Sequence, residues 1–271
     1  MSPWLPAGLR PLSCLLLSLA SLAGAPAAAQ GFSAYVTPPR FELQIQPGQR
    51  LREVVEIQHA GNRTGRFRIH TADWTFLPDN SVMFNDSLLP GSCRPWVAIE
   101  RREISVEPGA RFRYRFEIEV PPDTPPGECR FALMIEGIEP ARLDGTLNFP
   151  VSGRIGVIVY AAVGGAKPRL SLTPAGVRPF NGQPVPVITV RNDGAAHGRL
   201  LGFLDARDAS GRRFELAPAD IPVLPGDSRT VPLLPVVEEG ATPPALTYPL
   251  QVTGQLESGT ERLRVDQRFA P

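Results

Sequence analysis

The 271 residues include 31 prolines and 25 glycines, about one residue in five, and both types weaken helix interiors and central strands. Beyond residue 29 no run free of both exceeds twelve residues, as at 66–77 and 96–107, which excludes a helix-rich protein and suits short strands. A hydrophobic content of 42% with 20% charged residues excludes a disordered chain, and 28 basic against 27 acidic side chains give no basic footprint for nucleic acid.

Residues 1–29 carry Arg10, an apolar stretch over 12–22, and the small-residue tail Ala27-Ala28-Ala29. That is the layout of a secretory signal peptide with cleavage after Ala29. The stretch is shorter than the roughly 20 residues of a bilayer span, and Cys14 stands at its start, where a lipoprotein cysteine does not belong. Without the leader and its Arg10, 27 basic residues face 27 acidic ones. The most apolar later segment, 155–163, is β-branched and reads as a buried strand. An exported chain meets an oxidising compartment, so Cys93 and Cys129 are expected to form a structural disulfide. Two separately buried thiols are the alternative. Neither a CxxC pair nor a Cys with a suitably spaced His is present.

Strand-type runs follow near 33–46, 51–60, 66–76 and 95–106. From 111 to 120 the alternation is unbroken, with Phe112, Tyr114, Phe116, Ile118 and Val120 on one face and Arg111, Arg113, Arg115, Glu117 and Glu119 on the other. Turn signals flank it, Glu107-Pro108-Gly109 before and Pro121-Pro122-Asp123 after. The next strand carries Phe131, Leu133 and Ile135 inward, and a last run spans 146–163. Seven or so strands in about 130 residues predict a sandwich.

The second half repeats the first. Residues 54–66 align without gaps over 187–199, and Val106-Glu107-Pro108-Gly109 is echoed by Val223-Leu224-Pro225-Gly226 before a strand. The repeat predicts two domains of one fold, an all-β chain of two immunoglobulin-like sandwiches over 30–163 and 164–271. Gly164-Gly165-Ala166-Lys167-Pro168 is their short linker.

No catalytic constellation is found. His59, His70 and His197 lack metal or triad spacing and read as surface or half-buried strand residues, and no GxSxG, HExxH, Walker or GxGxxG pattern occurs. Neither an enzyme nor a cofactor is expected. Asn62-Arg63-Thr64 and Asn85-Asp86-Ser87 fit the glycosylation triplet, which matters only in a host that modifies it.

The segment Leu147-Asn148-Phe149-Pro150-Val151-Ser152-Gly153-Arg154-Ile155-Gly156-Val157-Ile158-Val159-Tyr160, with Thr37-Pro38-Pro39-Arg40-Phe41 and Ala72-Asp73-Trp74, resembles the periplasmic pilus-assembly chaperone family of the PapD type. The resemblance covers most of the mature chain and is better in the first domain. It implies a periplasmic chaperone that caps pilus or fimbrial subunits by donor-strand complementation and delivers them to an outer-membrane usher. Leu147, Phe149 and Val151 would fill the groove of a subunit lacking its last strand, since an added edge strand supplies both hydrogen bonds and side chains. An ordinary inward-facing strand of this domain's own core is the alternative for these three. The family's paired bases for the subunit's carboxylate would correspond to Arg40, expected to be unpartnered in the free protein, and Arg154. Gly156 stands where the family has a lysine, two residues from Arg154 and on the same face, and Tyr160-Ala161 replaces the family's Arg-Pro. A rival of another class is an exported structural or adhesive tandem module with no cycle of capture and release.

Overall fold

The computed structural model describes residues 33–138 and 153–271; the leader expected at 1–29 and the trio Leu147, Phe149 and Val151 lie outside the described residues. The first half holds β1 (Ala34–Thr37), β2 (Arg40–Ile45), β3 (Arg50–His59), β4 (Gly65–Phe76), β5 (Val82–Asn85), β6 (Val97–Ile99), β7 (Glu103–Val106), β8 (Arg111–Glu119), β9 (Gly127–Gly137) and β10 (Arg154–Val163). The expected run at 33–46 divides at Pro38-Pro39, whose missing N–H groups cannot continue a ladder. As a result β1 pairs with β3 in one sheet, and β2 pairs in parallel with β10 in the other. The run at 95–106 likewise divides into β6 and β7, preceded by a 3-10 turn at Arg94–Trp96.

The two sheets, β1-β3-β8-β6 and β2-β10-β9-β4-β5 with β7 added on β4, face each other across one core. Tyr114, Phe116, Ile118 and Val120 are buried in it, as the alternation predicts, together with Phe131, Leu133, Ile135, Val157 and Val159. Each large apolar side chain so buried contributes about 1.5–3 kcal/mol. The opposite face of β8 is wet and paired: Arg50 meets Glu119 at 2.8 Å and Arg111 meets Glu56 at 3.3 Å. Cys93 and Cys129 form the expected disulfide, their Cα atoms 5.6 Å apart, tying the segment before the 3-10 turn to β9.

The second half holds β11 (Leu170–Phe180), β12 (Gln183–Asn192), β13 (Leu204–Arg207), β14 (Arg213–Pro218), β15 (Ser228–Pro235), β16 (Leu250–Ser258) and β17 (Glu261–Phe269). β15 pairs with β12 through 228–232 and with β14 through 233–235. The seven-strand path β11-β12-β15-β14-β13-β16-β17 therefore bends around a single core of Val190, Leu204, Leu216, Leu233, Val252 and Phe269. The chain is all-β, two sandwiches in tandem; its one described helical segment is the 3-10 turn.

The internal repeat is physical. His59 and Asn192, equivalent in the gapless alignment, are both buried polar residues closing a strand. Nε2 of His59 lies 2.7 Å from the carbonyl of Arg63, and Nδ2 of Asn192 donates to the carbonyl of Ala196 at 2.8 Å, the same offset of four. The echoed glycines also match, Gly109 N–H donating to His59 O at 3.0 Å and Gly226 N–H to Asn192 O at 2.9 Å. His59 is more buried than a strand-surface residue because this turn wraps it.

Candidate functional site: the cleft between the sandwiches

A cleft of about 510 Å³ opens between the two sandwiches. From the first, β2 and β10 contribute the residues that alternate away from the core. Arg40 pairs in register with Ile158 and Glu42 with Tyr160, while Phe41, Val157 and Val159 point inward. From the second come His197 and Arg199, in the repeated turn after β12; Asp220, just after β14, does not line the cleft itself but bonds both Arg40 and Arg199.

Four charges form a ring at the mouth. Arg40 Nη1 donates to Asp220 Oδ2 at 2.8 Å and its Nε to Glu42 Oε1 at 3.0 Å. Arg199 Nη1 donates to Asp220 Oδ1 at 2.6 Å, and its Nε lies 3.2 Å from Glu42 Oε1. That last approach is an ion pair without hydrogen-bond alignment, so the buried Nε lacks an acceptor. The hydrogen bond that Arg40 donates to Asp220, reinforced by the carboxylate's charge, raises the Arg40 pKa further. Burial pushes the Asp220 carboxyl up, but the Arg40 hydrogen bond and the Arg199 charge outweigh it and hold the group below the usual aspartate range.

Behind the ring, Tyr160 stacks on His197 with ring centroids 3.8 Å apart, and the Arg199 guanidinium sits over the Tyr160 ring at 5.8 Å. Burial pushes the Tyr160 hydroxyl up to about 12. Glu128 on β9 accepts from the His197 backbone N–H at 2.7 Å and from its Nδ1–H, and Arg130 donates to it at 3.1 Å. His197 is therefore an inter-sandwich pin, not the surface or half-buried strand residue its spacing suggested. A second contact lies outside the cleft, where Arg229 donates to Leu77 O at 3.1 Å and covers the Phe76 ring at 4.7 Å.

The structure brings Arg40 to the cleft but paired, against the expectation of an unpartnered arginine. It does not bring Arg154 beside it. Arg40 faces Ile158, and Arg154 lies four residues earlier on β10, about 13 Å along the strand. Its guanidinium sits over Phe84 at 5.8 Å and near Glu136 at 4.0 Å. Gly156 has a steric reason: a Cβ there would meet Phe84 Cε1 at 2.7 Å, so the ring of β5 occupies the place a lysine stem would need. Sequence reading missed β5, Arg199 and Asp220. Arg199 ends the repeated segment and was within reach of the alignment; Asp220 has no local signal.

Among the described residues no cluster of three metal-ligating side chains occurs, and no helix is long and apolar enough to cross a membrane.

No family model and no curated protein matches the sequence. Among solved structures the chain is similar to the class 5 fimbriae chaperone CfaA, with 12% identity, a TM-score of 0.47, and coverage of 88% of this chain and 100% of that one. It is also similar to the Pseudomonas aeruginosa chaperone CupB2, with 11% identity, a TM-score of 0.46, and coverage of 87% and 100%. A third is the CsuC–CsuE chaperone–tip subunit pre-assembly complex from the chaperone–usher Csu pili of Acinetobacter baumannii, with 14% identity, a TM-score of 0.45, and coverage of 86% and 97%. The likeness is one of fold.

Proposed function

We propose that this protein is a periplasmic chaperone that caps pilus or fimbrial subunits by donor-strand complementation and hands them to an outer-membrane usher, with residues 30–163 and 164–271 as its domains. One observation carries the reading. β10 pairs with β9 along its whole length, but with β2 only from Ile158 onward. The leading residues 154–157 thus keep one edge unpaired by any described strand, with Ile155 and Val157 directed to the core face. A free edge with inward apolar residues is what a strand-deficient partner pairs with. A strand continued upstream with the same alternation carries Leu147, Phe149 and Val151 in phase with Ile155 and Val157.

The cleft adjoins this free edge: Arg40 pairs with Ile158, the first rung of the β2–β10 ladder, and Arg40 and Arg199 supply two guanidiniums for a subunit's terminal carboxylate. Arg199 takes the part expected of Arg154 and stands on the second sandwich.

The rival reading, a tandem module without capture and release, is favoured by the internal pairing of Arg40 with Asp220. Expression in a periplasm and identification of whatever co-purifies decides between them. A strand-deficient subunit supports the chaperone; a stoichiometric surface complex with no such subunit supports the module.

A further inference from the structure

The carboxylate of Asp220 is held as a bound carboxylate would be. One oxygen receives Arg40 Nη1 from the first sandwich and the other receives Arg199 Nη1 from the second. We infer that Asp220 is an internal stand-in for a partner's carboxylate, displaced when a chain with a free C-terminus enters the cleft. The inference rests on the chaperone reading for the identity of that partner, and it makes carboxylate recognition an exchange, not a simple addition.

The charges of the ring favour displacement. Arg40 and Arg199 already face Asp220 and Glu42, two cations against two anions. A third carboxylate entering this ring meets no unpaired cation within it, Lys167 being a further cation that lines the cleft; one that replaces Asp220 restores the balance. The members of the ring differ in freedom to move. The Arg199 side chain is only 11% exposed and is packed over Tyr160, whereas that of Asp220 is 57% exposed and lies on the connection between β14 and β15. Swinging Asp220 into water costs little desolvation, while moving Arg199 would unpack a buried face. The anion is the part that leaves. The exchange breaks the Arg40–Asp220 pair between the sandwiches, yet His197–Glu128 and Arg229–Leu77 still hold them together.

Two properties follow. The wild-type site selects a carboxylate but binds it weakly, because its own aspartate competes. Exchanging one carboxylate for another leaves the net charge of the ring unchanged, so wild-type affinity depends little on ionic strength, and removing Asp220 introduces that dependence.

The test uses the full mature chain and two synthetic probes, an N-acetylated octapeptide alternating Val and Thr with a free C-terminal carboxylate and its C-amidated twin. Asp220→Asn and Asp220→Ala should bind the free-carboxylate peptide roughly tenfold more tightly than wild type, two charge-assisted contacts no longer competing. Neither variant should gain for the amidated twin, and both should lose affinity with added salt more steeply than wild type. An affinity within twofold of wild type for both variants, an equal gain for the amidated twin, or no binding of the carboxylate peptide to any form overturns the inference. The chaperone reading fails separately, if no strand-deficient subunit accompanies the wild-type protein from the periplasm whatever the peptide does.

Discussion

Glu128 and His197 are joined twice across the two sandwiches: the backbone N–H of His197 and its Nδ1–H both donate to one oxygen of the Glu128 carboxylate, whose side chain is 1% exposed. The imidazole is fixed in turn by stacking on Tyr160. A buried carboxylate is tolerable only when so satisfied. This pin ties the two sandwiches together beside the cleft.

The pin makes a pH prediction. Burial pushes the Glu128 carboxyl up, but the hydrogen bonds and charge of His197, with Arg130, outweigh it and leave the pKa below its ordinary value. A depressed carboxyl contributes stability that is present above the ordinary glutamate range near ~4.3 and lost as the pH falls through the folded value. Asp220 is depressed in the same sense. The wild-type melting temperature should therefore drop between about pH 5 and 3, and Glu128→Gln should flatten that drop. At neutral pH the variant should be destabilised by roughly 1.5–3 kcal/mol, the value of a charge-assisted hydrogen bond. An unchanged acid slope in Glu128→Gln would show that other carboxylates dominate.

Phe84 and Gly156 make a steric prediction. Because the Phe84 ring occupies the space of a Cβ at 156, Gly156→Ala forces the β4–β5 hairpin to shift and should cost about 1–3 kcal/mol, as overpacking does. Phe84→Ala should relieve that cost, so the double variant is less destabilised than the sum of the two. Strict additivity, measured by chemical denaturation, would place the ring elsewhere.

The disulfide closes a loop with a sequence separation of 36. Chain entropy alone assigns it about 4 kcal/mol, so the Cys93→Ala, Cys129→Ala double variant should unfold at markedly lower denaturant. Equal midpoints for this variant and the oxidised wild type would refute a stabilising role.

Much of the fold was legible because strands write themselves with period two. The faces of β8 and the inward trio of β9 are where alternation placed them, and the repeat aligned His59 with Asn192, which the structure shows in equivalent hydrogen-bonded turns. What escaped was set by tertiary contact. β5 is four residues long, below the length at which alternation is distinguishable. Asp220 meets Arg40 across 180 residues of chain, so nothing near either residue announces the pair. Spacing two residues along one face made Arg154 look like a neighbour of the lysine position, but register with β2 places Arg40 four residues farther on. The glycine at 156 had no explanation in the sequence because its cause, Phe84, arrives from another strand.

On the chaperone reading proposed above, the segment leading into β10 serves a partner's sheet and not this domain's own core. Phe149→Glu tests it most directly, with melting temperature and co-purified subunit measured on the same periplasmic preparation beside Arg40→Ala. If Phe149 serves a partner's sheet, Phe149→Glu melts within about 2 °C of wild type, as substitutions outside a domain's own core usually cost under ~0.5 kcal/mol, and captures no subunit, because a carboxylate cannot enter an apolar groove without a partner. Arg40→Ala should likewise fold and capture about ten- to a hundredfold less at limiting concentration. A Phe149→Glu protein that unfolds, together with an Arg40→Ala protein that captures as wild type does, would contradict it and leave the tandem module as the reading of this fold.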